Sequence, residues 1–330
     1  MASWIATYGR ANIADGEIVH VPWVPPVTAE TAASSDATVA ASTPPHTIVR
    51  SNLEFEQGTI SWQGRVSGPK GVSQLILQCA DTGGGEAVAQ IVTDTGMSLK
   101  GNAELFVGLN VLGAPYGFAD FRNGKWEGAG GAGLGTELAS NEWVSLKLTV
   151  RGSNLDLYIS GVRVYSVTRT LLKGPIGVFL QGDGPEAVRN VVVFNDAPVC
   201  FVVMQFTDEF DALYHDVIED VCKSYGYEVV RGDDFYTSGQ IIEDITRSIR
   251  ESALIIADVT PDNANVFYEV GYAHALGKPT ILLSDRKRER LPFDISGFRT
   301  LFYDNTIGGK RVVEERLKQH LDALRPKSVA

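Results

Sequence analysis

The stretch from Ser252 to Ala273 constrains this chain more than any other. Leu254-Ile255-Ile256-Ala257 is a short apolar run with branched side chains, and it ends in Asp258 and Thr260. The loop Pro261-Asp262-Asn263 follows, and then an amphipathic segment that carries Glu269. That order predicts strand, loop and helix. In an open parallel sheet, ligands bind in the crevice beyond the carboxyl ends of the strands, so Asp258 and Glu269 are candidates for one site. Two carboxylates beside one cleft can hold a sugar and attack it.

The pattern around this stretch repeats. Phe201 to Gln205 reads as a buried strand, Glu209 to Ser224 has helical spacing with Gly226 as its stop, and Glu228 to Val230 is a second strand. Gln240 to Glu251 predicts a helix with Ile241, Ile245 and Ile249 on one face. After the strand Leu254 to Asp258 come a helix from Val266 to Leu276 ended by Gly277, strands Pro279 to Leu283 and Thr300 to Tyr303, and a closing helix from Arg311 to Leu324. Strands alternating with helices of this length predict, for residues 198–330, a flavodoxin-like α/β domain: a parallel five-stranded sheet covered on both faces.

Residues 48–197 read differently. Short segments such as Gly58 to Val66, Gln74 to Gln78, Ala87 to Val92, Trp143 to Val150 and Leu155 to Ile159 alternate polar and apolar residues between glycine and polar turns. Arg151-Gly152-Ser153-Asn154 and Ser160-Gly161 fall where hairpins must turn, and the whole predicts an antiparallel β-sandwich. The glycine-rich run Gly128 to Gly135 lacks the Lys-Ser/Thr pair of a phosphate loop and predicts a flexible loop. Trp62, Tyr116, Phe121 and Trp126 are either core or a sugar-stacking platform. Residues 1–47 predict an N-terminal arm and a low-complexity linker rich in Ala, Thr, Ser and Pro, with Trp4 and Trp23 available for docking back.

A chain of 330 residues fits these two domains. Forty acidic against 29 basic residues give a net charge of -11, which disfavours binding to nucleic acid or an anionic membrane. The basic run Arg286 to Arg290 reads as a solvated loop, with a phosphate contact or a partner contact as the alternatives. Three dispersed cysteines and five scattered histidines form no metal-ligand pattern, so no metal and no cofactor are expected. Reduced thiols, the lack of a signal-like start and the lack of a membrane-length apolar run predict a cytoplasmic protein.

Two resemblances add to this reading. The order Glu142 to Leu146, hairpin, Leu155 to Ile159, turn, Leu172 to Val178 and Asn190 to Phe194 resembles the concanavalin-like jelly roll of laminin-G-type and glucanase-like domains. That resemblance implies a carbohydrate-binding module or a passive scaffold. Ala257-Asp258-Val259-Thr260, followed by Asn265-Val266-Phe267-Tyr268-Glu269-Val270-Gly271-Tyr272-Ala273-His274-Ala275-Leu276-Gly277-Lys278-Pro279, resembles the nucleoside 2-deoxyribosyltransferase-like family and the related bacterial TIR-like nucleotide-binding proteins.

The second resemblance implies that Glu269 is the nucleophile at the anomeric carbon and that Asp258 lies beside the sugar. Phe206 matches the family's aromatic residue after the first strand, Asn265 or Tyr268 orients ribose or phosphate, and the loop containing Asp234 closes over the base. Asn263 stands where the transferases carry an aspartate. The implied activity is cleavage of an N-glycosidic bond in NAD or a related nucleotide, in a homo-oligomeric defence effector whose sandwich senses a glycan or small signal. The alternatives are a non-catalytic nucleotide or cyclic-nucleotide sensor, and an interaction protein that binds glycan or protein.

Overall fold

The computed structural model describes residues 2–22, 46–79, 103–232, 241–288 and 290–324. The expected strand Ala87 to Val92 and the loop residue Asp234 lie outside them. Among the described residues, fourteen strands build two antiparallel sheets. In chain order they are β1 (Trp4–Tyr8), β2 (Ala11–Ala14), β3 (Glu17–His20), β4 (His46–Phe55), β5 (Gly58–Arg65), β6 (Val72–Cys79), β7 (Ala103–Val111), β8 (Ala114–Arg122) and β9 (Lys125–Ala132). They continue with β10 (Val144–Arg151), β11 (Asn154–Ile159), β12 (Val162–Thr168), β13 (Gly174–Gln181) and β14 (Ala187–Asn195). One sheet runs β1-β4-β13-β6-β7-β8-β9 and the other β12-β11-β10-β5-β14-β3-β2. Leu75, Leu105, Val107 and Val178 of the first sheet meet Ile60, Trp62, Leu148 and Leu157 of the second in one core. This is the jelly-roll sandwich.

Three expectations change here. The first twenty residues are not an arm. Trp4 pairs with Ser51 in the first sheet and Val19 with Ala187 in the second, because alternation along Glu17–His20 buries Ile18 and His20. The glycine run is not a loop as far as Ala132, since Gly128 to Ala132 belong to β9. Glycine is required there by close packing: a Cβ on Gly130, at φ +119°, would lie 2.2 Å from the Tyr165 hydroxyl oxygen. Nor do the four aromatics share a face. Trp62 is sealed between the sheets and Tyr116 packs on that core, whereas Phe121 and Trp126 stack on the opposite face of the first sheet. A period of two puts neighbouring positions on opposite sides, which proximity in sequence cannot reveal.

The carboxyl-terminal domain is a five-stranded parallel sheet in the order β16-β15-β17-β18-β19. Its strands are β15 (Val199–Val203), β16 (Glu228–Arg231), β17 (Leu254–Asp258), β18 (Thr280–Asp285) and β19 (Thr300–Tyr303). After β15, α1 (Asp208–Leu213), a π-helical stretch (Tyr214–Glu219) and α2 (Asp220–Ser224) form one helical arm. The other helices are α3 (Ile241–Glu251), α4 (Ala264–Ala275), the unexpected short α5 (Phe293–Ser296) and α6 (Ile307–Leu324). The helical arm and α6 cover one face of the sheet, while α3 and α4 cover the other. Every residue of β17 is buried, which is why its sequence is an apolar run as far as Asp258.

The two domains touch at a hairpin. Gly152, at the β10–β11 turn, donates its N–H to Gln57 Oε1 at 2.9 Å, and Gln57 Nε2 donates to the Ala197 carbonyl at 3.1 Å. A Cβ on Gly152 would fall 2.4 Å from the Ser252 carbonyl oxygen, and its φ is +57°. Gly161, at φ +85°, has nothing within 4 Å of that position. Gly161→Ala should therefore cost only the backbone term, roughly 1 kcal/mol, while Gly152→Ala should cost about 2–3 kcal/mol. Denaturant unfolding of both variants measures the difference.

Candidate functional site

The chain turns to opposite faces of the sheet after β15 and after β17, which opens a crevice at their carboxyl ends. A cleft of about 760 Å³ lies there. It is lined by Gln205, Thr207, Asp208 and Phe210 after β15, Thr260 and Pro261 after β17, and Asp285 and Lys287 at the end of β18. Two carboxylates and one ammonium give it mixed polarity. None of these residues was a candidate site residue from the sequence. Asp285 had a usable signal, since it ends a strand of the same parallel sheet as Asp258.

Asp258 lies beneath the cleft and is 1% exposed. The Tyr303 hydroxyl donates to its Oδ2 at 2.5 Å, and the Thr260 N–H donates to Oδ1 at 2.8 Å. Burial pushes its carboxyl up to about 7 against those two bonds, which favour the charged form. The loop above it is also held from outside. Arg288 donates to the Val259 carbonyl and the Asp262 carboxylate, and its guanidinium lies 5.5 Å from the centre of the Phe267 ring. The Thr260–Pro261 peptide is cis.

Glu269 sits on the second turn of α4. The Asn263 side chain caps that helix by accepting the Asn265 N–H at 2.9 Å, so the amide position noted in the sequence serves the helix end. Val266, Val270 and Ala273 face the sheet. On one flank of α4, Phe267 meets Arg288 and His274 stacks on Phe298 at 4.1 Å, towards the segment after β18. At 100° per residue Glu269 lies on the other flank, towards α3 and β15. It is half-buried and has no hydrogen-bond or ion-pair partner among the described residues. Burial alone pushes its carboxyl up to about 7.

The remaining sequence candidates are dispersed. Phe206 is half-exposed between Gln205 and Thr207 of the cleft wall, with the Arg231 guanidinium 5.4 Å from its ring centre. Arg231 is itself anchored on Asp211 at 2.7 Å. Asn265 and Tyr268 are exposed on the outer side of α4. Neither they nor Asn263 and Glu269 line the 760 Å³ cleft.

The sandwich carries a second concavity, of about 950 Å³, on the outer face of the first sheet. Tyr8, His46, Phe121, Trp126 and Phe179 supply aromatic surface, and Gln74, Asn110 and Gln181 supply amides. The rings form a connected stack: Tyr8 and His46 are 4.6 Å apart, His46 and Phe179 5.3 Å, and Phe179 and Trp126 5.8 Å. Gln74 is buried, and its Oε1 has no hydrogen-bond partner among the described residues.

No protein-family model matches the chain, and no curated protein matches it. Among solved structures, the carbohydrate-binding module CBM66 from Bacillus subtilis is 12% identical, over 57% of this chain and 92% of its own, with a TM-score of 0.38. Bacillus licheniformis beta-glucanase is 14% identical, over 58% of this chain and 92% of its own, with a TM-score of 0.38. The Clostridium botulinum CMP N-glycosidase BcmB is 20% identical, over 36% of this chain and 98% of its own, with a TM-score of 0.29. Among the described residues no helix is long and apolar enough to cross a membrane, and no group of three or more His, Cys, Asp or Glu side chains is placed to hold a metal ion.

The strain at Glu269 is measurable without a substrate. Its carboxyl titrates at about 7 in the folded chain against a usual value of 4.5, so the unfolded chain ionises first as pH rises. Glu269 therefore costs no stability below about 4.5, and its cost grows until pH passes about 7. Glu269→Gln should match the parent protein in thermal unfolding at pH 4 and exceed it at pH 8, by on the order of 2 kcal/mol.

Proposed function

We propose that the carboxyl-terminal domain cleaves an N-glycosidic bond in a nucleotide, with NAD or a related ribonucleotide as substrate. The reading rests on Glu269, a partly buried carboxylate with no cation or donor to satisfy it among the described residues, at a pKa of about 7 and on the flank of α4 turned towards β15. A structural carboxylate is paired when it is buried. One kept unpaired near neutrality can exchange its proton and meet positive charge that appears only during reaction.

The C1′–N bond breaks with its electron pair leaving on the base. The ionised Glu269 carboxylate faces the resulting cation-like sugar centre and captures or stabilises it. Water then adds to C1′ and loses a proton, breaking the C1′–O bond to Glu269 where one has formed and returning the carboxylate, so that each cycle consumes one water and yields free base and ribosyl product. A nicotinamide leaving group departs neutral and needs no proton, whereas a neutral nucleobase must be protonated as it leaves. Asp258 supports the crevice from below, and Phe206 offers a ring at its rim. In the bacterial TIR-like resemblance, this activity belongs to a defence effector whose companion domain senses a signal. The aromatic concavity of the sandwich supports recognition of a sugar or other small ligand there.

Chromatography and mass spectrometry of protein incubated with NAD, CMP and a panel of nucleosides test the reading. Free nicotinamide or nucleobase is expected, with turnover falling at least about 100-fold in Glu269→Gln. Because the ionised carboxylate acts, kcat/KM should rise with pH through about 7 and level off above it. Turnover unchanged in Glu269→Gln overturns the assignment, and saturable nucleotide binding with no product makes the domain a sensor.

A further inference from the structure

The hydrogen bonds beneath the crevice point to a division of labour at the end of β17, and this inference rests on the crevice accepting a ribosyl group. Asp258 has no exposed face, and both of its oxygens carry a donor from the protein. Thr260, two residues on, lines the cleft. Its backbone N–H is the group that Asp258 holds, and its Oγ1 accepts the Asp285 N–H at 2.8 Å. Ser284 Oγ lies 3.2 Å from the same hydroxyl. A hydroxyl oxygen has two lone pairs; with Thr260 donating its own proton to Ser284 Oγ, the Asp285 N–H fills one of them and the other is left for a ligand donor.

The Tyr303 hydroxyl reaches Asp258 from β19, the edge strand, across the intervening β18. Tyr303 is itself buried and does not line the cleft. A chain of contacts thus runs from the sheet edge through Tyr303 and Asp258 to Thr260, and on to Asp285 in the cleft wall. We propose that Thr260 Oγ1 is the group at this strand end that accepts a hydrogen bond from a ribosyl hydroxyl, and that Tyr303 is a positioning residue acting on it through Asp258.

Calorimetric binding of ADP-ribose and of CMP to the Glu269→Gln protein reads this without turnover. Thr260→Val removes the hydroxyl and keeps the N–H, and should weaken the better-binding probe about tenfold. Tyr303→Phe keeps the ring, and should weaken it by a similar factor. If Tyr303 acts through Thr260, adding Tyr303→Phe to Thr260→Val should cost less than about twofold more. A purely structural Tyr303 would lower the unfolding temperature and leave affinity unchanged, or would weaken both backgrounds equally. Either result overturns the positioning role, as undiminished affinity in Thr260→Ser confirms and undiminished affinity in Thr260→Val overturns the hydroxyl contact. Absence of binding by both probes overturns the whole inference. Coupled binding effects in a protein that turns nothing over remove the glycosidase and keep the inference, whereas Glu269-dependent turnover insensitive to Thr260 and Tyr303 does the reverse.

Discussion

A carboxylate at the end of a fully buried strand has to be satisfied by the protein, and much of the carboxyl-terminal crevice follows from how Asp258 is satisfied. Strand β17 lies between β15 and β18, and none of its residues reaches solvent. Leaving Asp258 without donors would cost several kcal/mol. The Tyr303 hydroxyl and the Thr260 N–H offset part of that penalty, and in doing so they tie the edge strand to the loop that opens α4. Thr260 passes the constraint to Asp285 at the end of β18. The ends of three neighbouring strands are thereby held in register with one another where a ligand would meet them.

Glu269 is the converse case. Burial pushes both carboxyls up to about 7, but Asp258 is surrounded by donors while Glu269 has none among the described residues. A satisfied buried carboxylate holds structure. An unsatisfied one stores free energy that a positively charged reacting centre can release, and α4, capped by Asn263 and packed through Val266, Val270 and Ala273, supplies the rigidity to keep it so. This difference, more than proximity to a strand end, separates the part proposed for chemistry from the part that supports it.

The sandwich reaches that helix mechanically. The Gly152 turn sits on the Glu251–Ser252 backbone where α3 ends, and Lys278 donates to the Arg250 and Ser252 carbonyls at 2.6 Å each from the other side. Burial pulls the Lys278 ammonium down to about 7, which fits a cation spent on capping a helix end. Since α3 packs against α4, the contact between domains is one helix away from Glu269.

Periodicity alone gave away the two architectures, because a period of two and strands alternating with helices each bury apolar surface in only a few ways. The strand–loop–helix around Asp258 and Glu269 was legible for the same reason, as were the Gly152 and Gly161 turns. The sequence could not show that Trp4 to His20 are strands of both sheets, since their partners at Ser51 and Ala187 are distant in the chain. It could not show that Trp62 and Trp126 lie on opposite faces, or that Asp258 is buried while Glu269 goes unpaired among the described residues. Local pattern determined which segments would be strands and helices and where ligands could approach. Tertiary packing decided which carboxylate found its donors, because Tyr303 lies 45 residues from Asp258 and only the folded sheet brings it within hydrogen-bonding distance.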